Sequence, residues 1–186
     1  MKVVSFKLSQ QSIQKAIKEI ERYKKDLRRK CTVLVDRLAD EGITTAQGYA
    51  TGIGKYITFT KQVNTSVYGV KGSVTATSPE IKVRWVTNDG IQEVDVSPLL
   101  MAEFGSGAKA SDAQGLPNAD KAQELGMGRG TFPDQTHAFD DGGWSWLGLD
   151  GEWHHSEGTE PTMPMYEASQ QMIQEVVRIA REVFNS

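Results

Sequence analysis

Ser9-Gln10-Gln11-Ser12-Ile13-Gln14-Lys15-Ala16-Ile17-Lys18-Glu19-Ile20-Glu21-Arg22-Tyr23-Lys24-Lys25-Asp26-Leu27-Arg28-Arg29-Lys30-Cys31-Thr32-Val33-Leu34-Val35-Asp36-Arg37-Leu38-Ala39-Asp40-Glu41-Gly42 is the stretch that decides the fold. Between Ser9 and Glu41 it holds neither glycine nor proline. Its apolar residues Ile13, Ile17, Ile20, Leu27, Cys31, Leu34 and Leu38 fall in steps of four and three, with Lys24 in the one missing slot. That spacing lays one stripe along a helix of roughly nine turns, ~50 Å long. The Ser9 side chain is suited to accept a free amide of the first turn. Gly42 is the expected stop, because it takes the left-handed conformation without a Cβ clash.

Upstream, residues 3–8 alternate apolar and polar and predict a short edge strand. Downstream, residues 47–96 are rich in β-branched and aromatic side chains broken by short polar and glycine segments, and predict three or four antiparallel strands. Asn88-Asp89-Gly90, between Ile81–Thr87 and Ile91–Val96, is a hairpin-turn signal. Ser97-Pro98 pairs a capping residue with a first-turn proline and opens a short helix through Phe104, ending at Gly105-Ser106-Gly107. A glycine-rich stretch follows, containing Gly126, Gly128 and Gly130, and it is expected to be mainly loop. Within it, Trp144-Ser145-Trp146-Leu147 and Glu152-Trp153-His154 flank Asp150-Gly151 as a small aromatic hairpin. A final helix begins near Thr162, tolerates Pro164 in its first turn, and presents Met165, Ala168, Met172, Ile173, Val176, Ile179, Ala180 and Val183 as its apolar face. The expected class is α+β. A single domain, 1–186, packs a long N-terminal helix and a C-terminal helix on one face of a small antiparallel sheet, with a loop and hairpin inserted at 108–158.

The chain has 186 residues and a net charge of −3. Residues 1–88 carry 16 Lys/Arg against 7 Asp/Glu, a net of +9, whereas residues 89–186 carry 5 against 17, a net of −12. A general nucleic-acid binder would be basic overall. This split favours complementary surfaces that meet within one subunit or between copies. The one cysteine, Cys31, excludes an intrachain disulfide and a thiolate metal cluster. No apolar run approaches the ~20 residues of a membrane span, and no signal-peptide core precedes the helix. A soluble protein of a cytoplasm is therefore expected.

The residues lend catalysis no support. Gly48-Tyr49-Ala50-Thr51-Gly52-Ile53-Gly54-Lys55-Tyr56 has one residue too many for a phosphate-binding loop, lacks the Ser or Thr after the lysine, and sits after a helix instead of before one. His155-Ser156-Glu157 matches half of a zinc-deaminase signature, but the paired cysteines are absent. His154 and His155 are adjacent, so in a strand they point to opposite faces and cannot chelate together. Carboxylates between Asp134 and Glu160 lie beside three tryptophans, which leaves a carbohydrate-binding or wall-processing site in 134–157 as the alternative function. The plainer reading is that the tryptophans pin the hairpin to the body. Arg22 through Lys30 places six positive charges in nine residues, a solvated or subunit-contacting face that could also approach nucleic acid. Cys31 lies in the apolar stripe, as an inert thiol.

Two segments carry a resemblance. Leu99-Leu100-Met101-Ala102-Glu103-Phe104-Gly105-Ser106-Gly107 resembles the hydrophobic-Glu-Phe-Gly-Thr-Gly element of the gene-product-ten family of siphophage morphogenesis proteins, with Ser106 where threonine is commoner. Trp153 through Ala168, with Gly158, Pro161, Pro164, Met165 and Ala168, is similar to the segment that opens that family's last helix. The resemblance implies a non-enzymatic structural protein of the phage or prophage neck or tail end, in head–tail joining or tail completion. It further implies a homo-oligomeric ring that contacts other neck and tail proteins. Such a protein works in the host bacterial cytoplasm during assembly and then in the virion, with nucleic acid at most nearby, no membrane and no cofactor or metal. Glu103, Phe104, Gly105, Ser106, Gly107, Pro164 and Ala168 are then motif or interface residues. On the charge and aromatic readings above, Arg22, Lys25, Arg28 and Arg29 are the candidate basic interface, and Trp144, Trp146 and Trp153 are candidate partner-facing aromatics if they do not pin the hairpin to the body. Within the motif, Phe104 is expected in the core and Gly105 in a turn that no Cβ could follow, while Glu103 either faces a partner or complements a nearby cation.

Overall fold

The computed structural model describes residues 9–110, 117, 119–125, 127 and 142–185. The long helix is present as α1, Gln10–Tyr49, and the Ser9 hydroxyl accepts the Ser12 amide at 3.3 Å as its cap. At 1.5 Å per residue, α1 is ~60 Å long. It runs through Gly42, the expected stop. Gly42 is buried, and a Cβ there would lie 2.8 Å from the Met172 sulfur. Close approach of a second helix retains this glycine, and that packing overrides its weak helix propensity. The strand expected over 3–8 lies outside the described residues.

Past a single 3-10 turn at Gly52–Tyr56, β1 (Thr58–Thr65) and β2 (Val70–Thr77) form an antiparallel hairpin. Next, β3 (Ile81–Thr87) and β4 (Gly90–Val96) pair around Asn88-Asp89, with Gly90 at φ 116°. The region 47–96 thus supplies four strands, but they belong to two sheets. One is the β1–β2 hairpin alone; the other has the order β4-β3-β5-β6. Its last two strands are β5 (Trp144–Leu147) and β6 (Trp153–Ser156), the hairpin expected around Asp150-Gly151. Val86 pairs with Leu147, so the aromatic hairpin extends the second sheet.

Ser97 caps α2 (Pro98–Phe104) with a 3.4 Å bond from the Leu100 amide, and Pro98 opens it. A short α3 (Ala119–Glu124) lies inside the expected insertion. The chain closes with α4, Pro164–Asn185. The two long helices do not share one sheet face as expected. They pack antiparallel against each other, and α1 also covers β1 and β2. Small residues make this possible: Ala39, Gly42 and Ala46 of α1 and Ala168 of α4 are buried, with Ile179 and Val183 completing the contact. On its other side, Val35 meets Gly72 of β2, and Lys61 of β1 reaches Asp36 and Asp40, each at 2.7 Å. Arg37 pairs with Glu182 at 2.6 Å, and the Lys30 ammonium donates to the Phe184 carbonyl at 3.2 Å, which fixes where α4 ends along α1. Among the described residues, no helix is long and apolar enough to cross a membrane.

Candidate functional site: the junction of α2 and α4

The two segments that carry the resemblance meet in space. Helix α4 begins at Pro164, so Met163 occupies its cap position, at φ 50°, without an oxygen side chain to offer. Glu103, at the end of α2, supplies the missing acceptor. Its Oε2 accepts the Met165 amide at 2.9 Å and its Oε1 the Tyr166 amide at 3.0 Å. Pro164 has no N–H to satisfy, and these are the next two free donors of the helix. A carboxylate at that end also opposes the positive pole of the helix. The Ala102 carbonyl, orphaned at the end of α2, accepts the Thr162 and Met163 amides at 2.8 and 3.1 Å. Each helix end therefore satisfies the other.

Just beyond, Ser106 and Thr159 form an isolated antiparallel bridge with bonds of 2.8 and 3.0 Å, and the Ser106 hydroxyl also accepts the Thr159 amide at 3.2 Å. A threonine would offer the same hydroxyl, so Ser106 keeps the contact of the commoner residue. Gly105 sits at φ 75°, ψ −176°, a conformation confined to glycine. A Cβ on it would stand 2.7 Å from the Thr159 carbonyl and 2.8 Å from Pro161. Phe104 is buried as expected, as are Pro164 and Ala168.

Glu103 is 7% exposed. Burial pushes its carboxyl above the ordinary value; the Met165 and Tyr166 amides pull it back, and Glu167 pushes it up again. The partner that sequence reasoning missed was the start of α4, which lies about sixty positions away. A helix that begins at proline behind a methionine is short of a cap, and that deficit is the signal in the sequence.

The other candidates are dispersed. Arg22, Lys25 and Arg28 form no ion pair among the described residues, while Arg29 bonds Asp26 at 2.9 Å. In the second sheet Trp146 is half-buried and stacks on His154, ring centroids 5.4 Å apart, and His154 bonds Asp150 at 3.1 Å. His155 bonds Ser145 at 3.0 Å on the opposite face, as the strand alternation predicts. Trp153 is exposed, and Trp144 is placed in β5 by its backbone. The Asp150 carboxyl is held below its ordinary value by the Glu152 amide and by His154, and that of Glu157 by Lys109 at 2.9 Å. Both acids are thus engaged in local contacts. Asp134 and the rest of 128–141, like Gly126, lie outside the described residues. Gly48 through Tyr56 closes α1 and turns into β1, with Gly54 buried, and Cys31 is half-buried. Among the described residues, no group of three His, Cys, Asp or Glu is placed to hold a metal.

One feature was only half legible. Apart from Ser12 and Ala16, every residue from Ser9 to Arg29 is exposed. Because α4 ends beside Lys30, these first twenty residues of α1 extend ~30 Å past it as an arm. The arm carries seven Lys/Arg against three Asp/Glu over residues 10–29. Its stripe residues Ile13, Ile17, Ile20 and Leu27 remain between 38% and 50% exposed. Compared with protein-family models, curated proteins and solved structures, the chain has no match.

Proposed function

We propose that this chain is a non-enzymatic structural subunit of a phage or prophage neck or tail end, assembling through contacts between copies into a ring. The observation that carries the reading is the α2–α4 junction. Segments 99–107 and 153–168, which bear the resemblance separately, interlock through Glu103, Ala102, Ser106 and Thr159. Their polar groups are spent on holding two helix ends together, which is what a scaffold requires. The arm adds the second ingredient, a basic surface outside the body. A ring needs a heterologous contact, in which one patch of a subunit meets a different patch of the next.

The test is light scattering and negative-stain microscopy of the purified chain, at low salt and high concentration, alone and with neck proteins of the same phage. Annular particles of a fixed subunit number are expected. A chain that stays monomeric in every one of these conditions refutes the reading.

A further inference from the structure

The uncovered stripe of the arm has a counterpart on the body. Along α4, one apolar row faces α1: Ala168, Met172, Ile179 and Val183. A second row, Ile173, Val177, Ala180 and Phe184, is spaced four-three-four and lies about a third of a turn away. Ile173 is 66% exposed, Val177 54% and Phe184 39%, and Ala180 is half-buried. The arm row Ile13, Ile17, Ile20 and Lys24 has that spacing too, extended by Leu27. Four-three alternation is the seam of a two-helix coiled coil, in which each row fills the gaps of another.

These two rows cannot meet within one subunit. Helix α4 ends beside Lys30, so the arm row begins where the α4 row has already stopped. Two arms are poor partners for each other, since each has a net charge of +4 over residues 10–29. Helix α4 has the opposite sign, with Glu167, Glu175 and Glu182 against Arg178 and Arg181. The arm row also continues, through Cys31, Leu34 and Leu38, the side of α1 that runs into its own contact with α4. An α4 helix is therefore the surface that α1 already packs against.

The geometry points to a second copy of this chain as the occupant: the arm of one subunit docks on the Ile173–Phe184 row of the next. This deepens the ring reading and rests on it for its closed form. Lys24 is the polar interruption that fixes the register of such a seam.

The experiment uses two full-length variants. One joins Ile17→Glu with Ile20→Glu on the arm; the other joins Ile173→Glu with Val177→Glu on α4. All four positions are exposed, so circular dichroism of each variant should match the parent chain. Each variant alone should self-associate roughly 100-fold more weakly by sedimentation velocity, because two apolar contacts of the seam are lost. An equimolar mixture should form a one-to-one pair, since each variant retains the surface the other lacks. If the α4 variant assembles like the parent chain, this docking is wrong while the ring reading stands. If the parent chain does not self-associate, this docking is wrong, and the ring reading falls with it only if the chain also stays monomeric with neck proteins.

Discussion

Replacing Glu103 with glutamine tests the junction at its centre. The carboxylate accepts two amides, from Met165 and Tyr166, through two different oxygens. Glutamine offers one oxygen and must turn its NH2 toward the other amide, donor against donor. Leaving one buried N–H without its acceptor costs about 1–3 kcal/mol, and losing the charge at the helix end costs about 0.3–1 kcal/mol more. Removing a charge from a buried position returns part of that. We expect a net loss of about 1–2 kcal/mol at neutral pH, or roughly 2–8 °C in Tm for a chain of this length. The pH dependence is the sharper readout. The folded chain raises the Glu103 pKa, mainly by burial, so it binds this proton more tightly than the unfolded chain does. The stability contributed by protonation is complete below the unfolded value of 4.5 and is lost as pH rises through the folded value. Glutamine lacks this dependence. The Tm gap between the parent chain and Glu103→Gln should therefore widen as pH is lowered from neutrality toward that value. Calorimetry across that range checks it, and a gap that stays constant or closes on acidification refutes the burial argument.

Other positions give independent tests. Gly105→Ala combines a glycine-only conformation with a Cβ 2.7 Å from the Thr159 carbonyl, and should cost about 3 kcal/mol in urea unfolding. A loss under 1 kcal/mol would mean that the turn can relax. Gly42→Val should cost about 2 kcal/mol by forcing Met172 away and separating α1 from α4, measured by the same method. Lys24→Leu completes the arm row and should tighten self-association roughly tenfold in sedimentation while broadening the distribution of oligomers. Unchanged association there would remove Lys24 from the seam.

Much of the local structure was legible because it is written in neighbouring residues. Ser9 before a glycine-free run, Asn88-Asp89-Gly90 between two apolar runs, and Ser97-Pro98 each fix a boundary through groups within four positions of one another. The failures share a different cause. Gly42 reads as a stop until Met172, 130 positions later in the chain, is seen lying against it. The joining of the aromatic hairpin to β3 rests on Leu147 pairing with Val86, and no local pattern announces that pairing. Glu103 raised the choice between an interface and a cation, and its amide partners lie on a helix 62 and 63 residues away. The heptad spacing of α1 was visible from the outset. What could not be read was where α4 would stop along it, and hence which half of the stripe would remain uncovered.

The Ser106–Thr159 bridge carries a consequence for how this chain can change over time. It fastens together the two ends of the segment between them, so that Gly107 and Gly158 lie side by side. Where two ends are held together, lengthening the chain between them costs little closure entropy, roughly 0.6 kcal/mol for each doubling. Two parts of that segment are tied to the body, the β5–β6 hairpin through β3 and α3 through the buried Ala122. The bridge thus sets the spacing of α2 from α4 by a contact that does not depend on how many residues lie between its two partners.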